Sequence, residues 1–528
     1  RSSNISGWAA STFGGTIGQL TLNMAQGSRL FIASDVGMNL SDTTGTAISS
    51  ATGANITGTG YKTFMLYLSK LTINQDVNLN NIADTYNQLE IVNSSIANAN
   101  NKTMTGTQIN DIAMAQENDK TLYPRNKVTL ENEGKINLSG TNSTGMYAKY
   151  GELYNRGTGV ITMSDTSTAM YGIDDSILEN AGEITIGKNA IAMYSEGSIT
   201  QGMKNAGTIK LPQTDSVAMS YNPDSALAAG VVVENTGNIE LSGDKNTAIY
   251  STGTPVYKVK NSGTVILSDS ATINNPNVAL YTNNSNVTSK NTGIIVAGNN
   301  TIGIYGYETE NNGDIKVGNS GIGIYSKNGN VTLTGGKIKT GTGEAVGVYT
   351  VGSGQNITNT GTEFEMGDNS FGFVNVGNNN TITSSFANIG LNNKNVYVYS
   401  NDVNSSVINS SNIISTGKEN YGIYSAGTVE NYGTVDLSSG EGSVAIYSIK
   451  GGTATNHTSG IINVGASNVT NSKYSIGMGA GYTTVDTGNI INKGTINVNG
   501  KSGFGMYATG SGSTARNEGN ITLNADNT

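Results

Sequence analysis

A tyrosine recurs along this chain at intervals of about two dozen residues, each time inside nearly the same tetrapeptide. The tetrapeptides read, for example, TAMY, IGIY, VGVY and VAIY, and they include Tyr147, Tyr171, Tyr194, Tyr250, Tyr281, Tyr305, Tyr325, Tyr349, Tyr399, Tyr424, Tyr447 and Tyr507. Two copies deviate, because Tyr221 comes one residue late and Val374 stands in the tyrosine position after Phe373. Repetition at such a period is typical of a solenoid, in which one supersecondary unit stacks on its neighbours.

A second motif, Asn-x-Gly followed by alternating apolar residues, runs in phase with the tyrosines. The strand after the glycine, as in Thr208-Ile209-Lys210-Leu211, separates apolar from polar side chains with a period of two. With 70 Gly and only 5 Pro, the composition favours short strands and tight corners over the long helices of helical repeats. We therefore predict an all-β chain folded as a right-handed parallel β-helix, with three strands and about 24 residues per coil.

Stacked coils place equivalent residues beside one another, so each motif predicts a column of side chains. The asparagines, among them Asn180, Asn205, Asn235 and Asn261, are expected to form hydrogen bonds from amide to amide. The residues that precede them alternate in charge along the chain, which favours ion pairs between coils. The glycine of the motif is expected to adopt a positive φ at a corner.

The tyrosines, represented by Tyr171, Tyr194 and Tyr250, can point in either of two directions. In an ideal strand the small residue two positions earlier shares the tyrosine face, and the aliphatic residue just before tyrosine lies on the other. If tyrosine points inward, the small residue makes room for its ring. If it points outward, the tyrosines form an exposed aromatic ribbon suited to stacking on sugars or proteins. We favour the inward, structural orientation.

The repeat divides the chain into three predicted parts. Residues 1–60 are expected to cap the core, residues 61–125 break the repeat, and residues 126–528 hold roughly sixteen coils, truncated at the C-terminus. Apolar residues at helical spacing predict a short helical excursion in the middle part, at Ile82, Tyr86, Leu89, Val92 and Ile96, and then around Ile109, Ile112 and Ala113. The excursion either plugs the core or protrudes to bind a partner, and its candidate contacts are Tyr86, Leu89, Ile109 and Tyr123.

Composition and motifs argue against an enzyme and against nucleic-acid binding. The net charge is −9, without the basic stripe that nucleic acid requires. Cysteine is absent, and the single histidine, His457, is expected to be a solvated turn residue. Asp174, Asp175 and Glu179 are the densest acidic group, yet adjacent coils do not repeat them in phase, as a polysaccharide-cleaving β-helix would need. We predict no catalytic, cofactor-binding or metal-binding residues.

The Asn-x-Gly-x-Ile strands, the GIY and AIY coils and the expected excursion resemble the passenger domains of large fusobacterial type Va autotransporter adhesins, which include RadD-like and galactose-inhibitable members. The repeat resemblance covers roughly residues 126–528. It implies export through the protein's own C-terminal outer-membrane barrel, which is expected to lie outside this chain, and display of a monomeric rod on the bacterial surface.

The same resemblance implies attachment to a host receptor protein or glycan, coaggregation with other bacteria, immune evasion and a role in virulence. Two alternatives remain open on the residues alone. One is a carbohydrate-binding or carbohydrate-cleaving β-helix, and the other is a stalk whose binding sites lie elsewhere.

Overall fold

The structure is a computed structural model that describes residues 21–24, 29–34, 37–40, 55–58, 62–67, 70–73, 76–79, 89–92, 95–117, 128–197, 202–224, 231–253, 255–386, 388–483 and 485–526. The chain forms two compact units, residues 1–264 and 265–528. The described residues contain no α-helix, and among them is a short 3-10 helix at Val469–Asn471. No helix of sufficient length and hydrophobicity to span a membrane occurs in the described part of the chain.

One coil shows how the sequence produces the fold. The strand Ile177–Asn180 ends at the Asn-x-Gly corner, Glu183–Thr185 follows it, and Ile191–Gly197 carries the tyrosine. In the next coil Thr208–Leu211 buries Ile209 and Leu211 while its other two side chains are half-buried, as a period of two requires. We call the three sheets the asparagine sheet, the middle sheet and the tyrosine sheet, in that order along a coil.

The first unit contributes strands to each of these sheets. Its asparagine sheet contains Gly37–Leu40, Lys70–Ile73, Ser95–Asn98, Val128–Asn132, Gly151–Asn155, Ile177–Asn180, Met203–Asn205, Val232–Asn235 and Tyr257–Asn261. Its middle sheet contains Val77–Asn78, Thr103–Gly106, Lys135–Leu138, Val160–Met163, Glu183–Thr185, Thr208–Leu211 and Asn238–Leu241. Its tyrosine sheet contains Arg29–Ser34, Lys62–Tyr67, Leu89–Val92, Ile112–Glu117, Thr144–Lys149, Thr168–Ile173, Ile191–Gly197, Val217–Pro223 and Thr247–Ser251. A separate pair is formed by Thr21–Met24 and Asn55–Gly58.

The second unit has the same three sheets, and the strand Thr264–Leu267 of the middle sheet begins at the last residue of the first unit. Its asparagine sheet contains Val287–Asn291, Glu308–Asn311, Val331–Leu333, Asn356–Asn359, Thr381–Ser384, Ser406–Asn409, Thr428–Asn431, Thr453–Asn456, Asn489–Asn492 and Thr514–Asn517. Its middle sheet contains Ile294–Ala297, Asp314–Val317, Lys337–Thr340, Glu363–Met366, Asn388–Leu391, Asn412–Ser415, Thr434–Leu437, Ile461–Val464, Thr495–Val498 and Asn520–Leu523. Its tyrosine sheet contains Val278–Thr282, Ile302–Gly306, Ile322–Ser326, Val346–Thr350, Phe371–Asn375, Val396–Ser400, Tyr421–Ser425, Val444–Ser448, Ile476–Ala480 and Phe504–Ala508.

Within each unit, the described strands of a sheet pair in parallel with the equivalent strand of the next coil, so motif residues stand beside their own repeats. Asn180 is paired with Asn205, Ile184 with Ile209, and Tyr171 with Tyr194. The apolar residues just before the asparagines and tyrosines, such as Leu178 and Met193, are fully buried and form the core. The predicted right-handed parallel β-helix with three strands per coil is confirmed.

The predicted helical excursion is wrong wherever residues 61–125 are described. Leu89–Val92 is a strand of the tyrosine sheet, Ser95–Asn98 a strand of the asparagine sheet, and Ile112–Glu117 again a strand of the tyrosine sheet. Ile96 stacks on Leu130, and Met114 on Met146, in the register of the other coils. Two short strands in succession placed apolar residues at intervals that imitate a helical period, and stacking between coils decides in favour of strands.

The remaining predictions for the N-terminal part divide by position. Ile82, Tyr86 and Tyr123 lie outside the described residues. Within residues 1–60, Arg29–Ser34 pairs in parallel with Lys62–Tyr67, and Gly37–Leu40 pairs with Lys70–Ile73. These strands therefore extend the tyrosine sheet and the asparagine sheet, and the capping role of this segment stays a prediction.

The glycine of Asn-x-Gly is required for a reason other than the predicted positive φ. Gly207 and Gly237 do not have a left-handed backbone. A Cβ on Gly237 would fall well inside van der Waals contact with the carbonyl oxygen of Gly207 in the coil beside it. Glycine is needed because the corners of successive coils approach so closely that a side chain has no space.

Left-handed residues occur instead at the corner before the tyrosine strand. Asn189, Asp215 and Lys245 occupy this corner in three successive coils of the first unit, with φ of 51°, 59° and 56°. Asparagine and aspartate tolerate this conformation better than most residues, and the corner is solvated. These two corners of a coil therefore differ. The corner after the asparagine needs glycine because neighbouring coils come close, and the corner before the tyrosine strand needs a residue that tolerates a left-handed backbone.

Candidate binding surface

The asparagine column forms a continuous hydrogen-bonded ladder in the first unit. Each side-chain amide donates to the amide oxygen of the next asparagine, over 2.7 Å from Asn180 to Asn205 and 2.7 Å from Asn205 to Asn235. The ladder runs through Asn98, Asn132, Asn155, Asn180, Asn205, Asn235 and Asn261. All these side chains are buried, so the ladder satisfies polar groups in the core and is not available to a ligand.

In the second unit the asparagine ladder is interrupted, and aromatic rings occupy the core beside one interruption. Leu333 and Ser384 replace asparagine. The Tyr397 hydroxyl lies 2.7 Å from the Ser384 hydroxyl, and its ring meets Phe364 and Phe373 edge to face at 5.7 and 5.5 Å. Burial raises the pKa of Tyr397. This aromatic cluster is structural, and the sequence offered only the VYVY tetrapeptide as a sign of it.

Charged residues that precede the asparagines form ion pairs between coils, as their alternation predicted. Lys260 Nζ lies 2.8 Å from Glu234 Oε1, and Lys290 Nζ lies 2.7 Å from Glu310 Oε2. Partial burial of Glu234 raises its pKa, but hydrogen bonds from Lys260 and Ser262 and the nearby Lys204 outweigh this, so the pKa is lowered overall. These partly exposed pairs support register and solubility, since exposed pairs contribute little stability.

The tyrosine column faces outward, so the favoured inward orientation is wrong. Met170 and Met193 are fully buried, whereas the following Tyr171 and Tyr194 are only half-buried. The small residue two positions before tyrosine does not share its face, because Ala169 and Met170 are both buried in succession. A Cβ on Gly145, the residue paired with this position, would meet the carbonyl oxygen of Ala169. Close packing between coils, and not the tyrosine ring, therefore explains the glycine at position 145.

Successive tyrosines of the second unit stack on one another. Ring centroids lie 4.8 Å apart from Tyr281 to Tyr305, 4.9 Å from Tyr305 to Tyr325, and 5.4 Å from Tyr325 to Tyr349, with interplanar angles of 5°, 11° and 21°. A second stacked run, with centroid separations of 5.7 and 5.5 Å, contains Tyr399, Tyr424 and Tyr447. Since the ring faces cover one another, a ligand beside the column meets ring edges and hydroxyl groups.

The first unit has a shorter version of the column. Tyr171 and Tyr194 stack at 5.2 Å, and both hydroxyls donate to the carboxylate of Glu196. Burial, together with the Glu196 carboxylate, raises the pKa of Tyr194 to about 12. Ser220 then takes the tyrosine position, paired with Tyr194 on one side and with Tyr250 on the other.

The two deviating copies of the motif interrupt the column in different ways. Tyr221, one residue late, is fully buried and packs edge to face on Tyr257 at 5.2 Å, because a shift of one residue along a strand reverses the face. Val374 occupies the tyrosine position between Tyr349 and Tyr399 and is nearly buried. The second unit thus carries two stacked runs separated by one aliphatic coil.

The loop 481–488, of which residue 484 is not described, lies over the end of the second stacked run. The Tyr447 hydroxyl donates to the carbonyl oxygen of Gly481 over 2.6 Å. The backbone N–H of Lys450 donates over 2.6 Å to Asp486, whose backbone oxygen accepts from Tyr482 N–H over 3.2 Å. Burial, with smaller contributions from neighbouring tyrosines and Asp486, raises the pKa of Tyr447 to about 12.

This loop displays the most exposed large apolar side chains of the described residues in the second unit. Val485 is 87 % exposed and Tyr482 is 69 % exposed. Beside them lies a shallow groove lined by Lys450, Gly451, Val485, Asp486 and Thr487. An exposed aromatic ring and an exposed aliphatic residue next to a carboxylate and an ammonium group can contact a protein surface or a sugar.

Residues proposed as N-terminal contacts are not brought together among the described residues. Ile109 lies in a turn between two strands and is 58 % exposed, whereas Leu89 begins a strand of the tyrosine sheet. The binding role of Tyr86, Leu89, Ile109 and Tyr123 stays a prediction. The sequence did not single out Tyr482 and Val485. The stretch 466–488, which lengthens the spacing between two repeats, was a sign that a loop is present.

The acidic residues and the histidine that were considered for catalysis or metal binding do not come together in one site. Asp174 and Asp175 lie at the corner after a tyrosine strand, while Glu179 belongs to the asparagine sheet and is paired with Tyr154 and Lys204. His457 is not a solvated turn residue, because its ring stacks on Tyr432 at 4.2 Å and its Nε2 contacts Glu430. No group of three or more His, Cys, Asp or Glu suited to a metal ion occurs among the residues that the structure describes.

Residues 324–528 match the family model of the BigA third pectate lyase-like domain. The matched segment lies entirely within the second unit and includes the loop 481–488. The similarity agrees with the parallel β-helix described above and is consistent with a bacterial surface-exposed protein. Neither the comparison with curated proteins nor the comparison with solved structures gave a match.

Proposed function

We propose that this chain is a cell-surface adhesin passenger of a Gram-negative bacterium, which attaches to a host-cell receptor or to partner bacteria. The observation that carries the proposal is the loop 481–488, which presents Tyr482 and Val485 to solvent from a stack of hydrogen-bonded coils. Binding residues are often found on loops that a rigid scaffold positions, and exposed apolar groups mark interaction sites.

The similarity of residues 324–528 to a BigA domain supports display on a bacterial surface. Assignment to the fusobacterial type Va autotransporter adhesins, anchoring at the outer membrane, coaggregation and immune evasion rest on the sequence resemblance and form part of the proposal. So does a monomeric state.

A protein receptor is the first candidate ligand. Tyrosine is enriched among residues that dominate protein interfaces, because its ring buries a large area at low entropic cost. The backbone hydrogen bond from Tyr482 to Asp486 closes the loop, and hydrogen bonds from Tyr447 and Lys450 attach it to the coils, so the loop is partly ordered before it binds. Neither nucleic-acid binding nor catalysis belongs to this proposal.

A glycan is the second candidate ligand, and one observation favours it. Tyr482 has a largely exposed ring, and Asp486, to whose backbone oxygen the Tyr482 N–H donates, lines the groove of the same loop. The loop thus offers a stacking surface and a carboxylate acceptor. The stacked part of the tyrosine column is less suitable, because its ring faces are covered by neighbouring rings.

Binding of the purified 528-residue chain to human epithelial cells, measured by flow cytometry, tests the proposal. The double variant Tyr482→Ser/Val485→Ser is expected to bind at least about tenfold more weakly, which corresponds to about 1.4 kcal/mol. The matched control is Val403→Ser, which changes another exposed valine between a tyrosine strand and an asparagine strand. The control is expected to bind like the unaltered chain.

Competing galactose-containing oligosaccharide distinguishes the two ligands, since it lowers binding only if the ligand is a glycan. Ile109→Ser tests the N-terminal prediction in the same assay. Unchanged binding by the double variant would contradict a site at loop 481–488, and no binding by the unaltered chain would favour a stalk.

A further inference from the structure

Adjacent tyrosines of the run Tyr281, Tyr305, Tyr325 and Tyr349 are arranged as near-translated copies. Their rings are nearly parallel, and centroids are 4.8 to 5.4 Å apart. When one ring is related to the next by translation, each carbon lies at about the centroid separation from its equivalent. The carbons ortho to the phenol oxygen of neighbouring rings are therefore about 5 Å apart, roughly 1 Å beyond van der Waals contact.

The backbone holds these rings in pairs that cannot drift along the chain. Tyr281 is in register with Tyr305, Tyr305 with Tyr325, and Tyr325 with Tyr349, all in parallel ladders. The rings are half-buried, so small oxidants and solvent reach one side of them. Coupling requires the two rings to turn toward each other, and the fixed register decides which rings can meet.

Few other side chains compete for oxidation at this place. The chain has no cysteine, and its single tryptophan is Trp8. The residues before these tyrosines are Leu280, Ile304, Ile324 and Val348, whereas methionines that can be oxidised to the sulfoxide precede Tyr147, Tyr171 and Tyr194 in the first unit.

The geometry points to a modification site: the run Tyr281–Tyr349 forms dityrosine cross-links between adjacent coils when a haem peroxidase and hydrogen peroxide act on the folded protein. Each of two neighbouring tyrosines loses one electron and its phenolic proton to give a phenoxyl radical. The two radicals couple through ortho carbons, and the hydrogen on each coupling carbon moves to the oxygen. The net reaction forms one carbon–carbon bond, removes two hydrogen atoms from the protein and converts one hydrogen peroxide to two waters.

Such a bond closes a loop of one coil, because the tyrosines it joins belong to successive coils. It would restrict the unfolded chain in the way that a disulfide does, in a protein that contains no cysteine. The inference is independent of the proposed adhesive function, since it depends only on the ring geometry and on exposure to oxidant.

The test treats the purified chain with horseradish peroxidase and hydrogen peroxide and maps cross-linked peptides of the monomer band by mass spectrometry. The expected products are three peptide pairs, Tyr281 with Tyr305, Tyr305 with Tyr325, and Tyr325 with Tyr349, each lighter by two hydrogens than the sum of its peptides. Tyr349 with Tyr399 is expected to be absent or at least about tenfold rarer, because Val374 separates them.

Two conservative variants sharpen the result. Tyr305→Phe keeps the ring but removes the phenol, and is expected to abolish both pairs that contain residue 305 while the Tyr325–Tyr349 pair persists. Tyr307→Phe is the matched control, because Tyr307 belongs to the same segment but not to the stacked run, and all three pairs are expected to remain.

The inference is overturned if the monomer contains no ladder pairs after oxidation, or if oxidation yields only cross-links between chains. It is also overturned if the urea-unfolded chain gives the same pairs in the same proportions as the folded chain. In that case the coil register does not select the products.

Discussion

An asparagine in the ladder acts both as donor and as acceptor, so its value depends on two neighbouring coils. Asn205 donates to Asn235 and accepts from Asn180, and its side chain is fully buried. Removing it leaves the Asn235 oxygen without this donor and the Asn180 amide without this acceptor. A buried polar group that loses its partner costs more than the net value of one hydrogen bond.

We therefore predict that Asn205→Ala lowers the free energy of unfolding by about 2 kcal/mol, within the range for unsatisfied buried groups. The matched control is Asn137→Ala, an exposed asparagine on a middle-sheet strand of the same unit, expected to change stability by less than about 0.5 kcal/mol. Urea midpoints of both variants measure the difference. Equal midpoints would show that the ladder adds no stability.

At the residue scale, the sequence predicted which residues align but not always why. The asparagine column and the ion pair Lys260–Glu234 were predictable, because a strict repeat places equivalent residues side by side. The direction of the tyrosines was not, since Ala169 and Met170 are buried in succession where an ideal strand alternates. Alternation fails between these two residues, and the sequence does not mark the place.

The corner after the asparagine is the element in which the coils come closest. Gly237 and Gly157 occupy the same position of the Asn-x-Gly motif in different coils. A Cβ on Gly237 would collide with the Gly207 carbonyl oxygen, whereas a Cβ on Gly157 would have no atom within 4 Å. The corner of Gly157 is displaced, and Gly159 takes over the close contact with the backbone of Asn132.

These two glycines provide a matched pair for a prediction. Gly237→Ala is expected to destabilise the protein by about 2–3 kcal/mol, because the backbone of two coils has to separate. Gly157→Ala is expected to be neutral or to stabilise by up to about 1 kcal/mol, since alanine restricts the unfolded chain. Thermal unfolding followed by circular dichroism compares them. A similar loss in both variants would contradict the explanation by close approach of the coils.

The elements from residue 89 to residue 117 show where reading from periodicity fails. Leu89–Val92 and Ser95–Asn98 are separated by two residues, so two period-two patterns follow each other on different sheets. Their sum imitates a helical stripe. Only the pairing of Ile96 with Leu130 and of Met114 with Met146 distinguishes a helix from successive strands. This pairing depends on residues more than thirty positions away.

For the molecule as a whole, the many stacked tyrosines predict a stability that depends on alkaline pH. Burial raises the pKa of Tyr194, Tyr257 and Tyr447 to about 12, above the ordinary value of 10.0. Folding therefore favours the neutral phenol. This stabilising contribution is complete below about pH 10 and is lost as the pH rises from 10 through 12.

We predict that, in an alkaline pH titration, the tyrosinate absorbance of the folded chain rises at higher pH than that of the urea-unfolded chain. The rise is expected to coincide with loss of the β-sheet circular dichroism signal. Tyr447→Phe removes one of these groups and is expected to retain more of its neutral-pH stability at pH 11 than the unaltered chain. A titration with all tyrosines ionising near pH 10 in the folded protein would contradict the burial of the column.

The whole-molecule architecture was the most predictable level, because a period of about two dozen residues admits few folds. The candidate binding surface was the least predictable. Tyr482 and Val485 lie in a loop that interrupts the repeat, and nothing in the residue types distinguishes an exposed loop from a buried insertion.

The late tyrosine at position 221 has a consequence for how such a chain changes over generations. The strand Val217–Pro223 keeps one-to-one register with both neighbouring strands, but it has Ser220 in the tyrosine position. Its ring is carried by the next residue, Tyr221, and lies in the core instead of at the surface. The interchange of serine and tyrosine is thus confined to one coil, and the neighbouring strands keep Tyr194 and Tyr250 in the tyrosine position. Substitutions can therefore remove or add a surface aromatic group in one coil while the coils beside it keep their register.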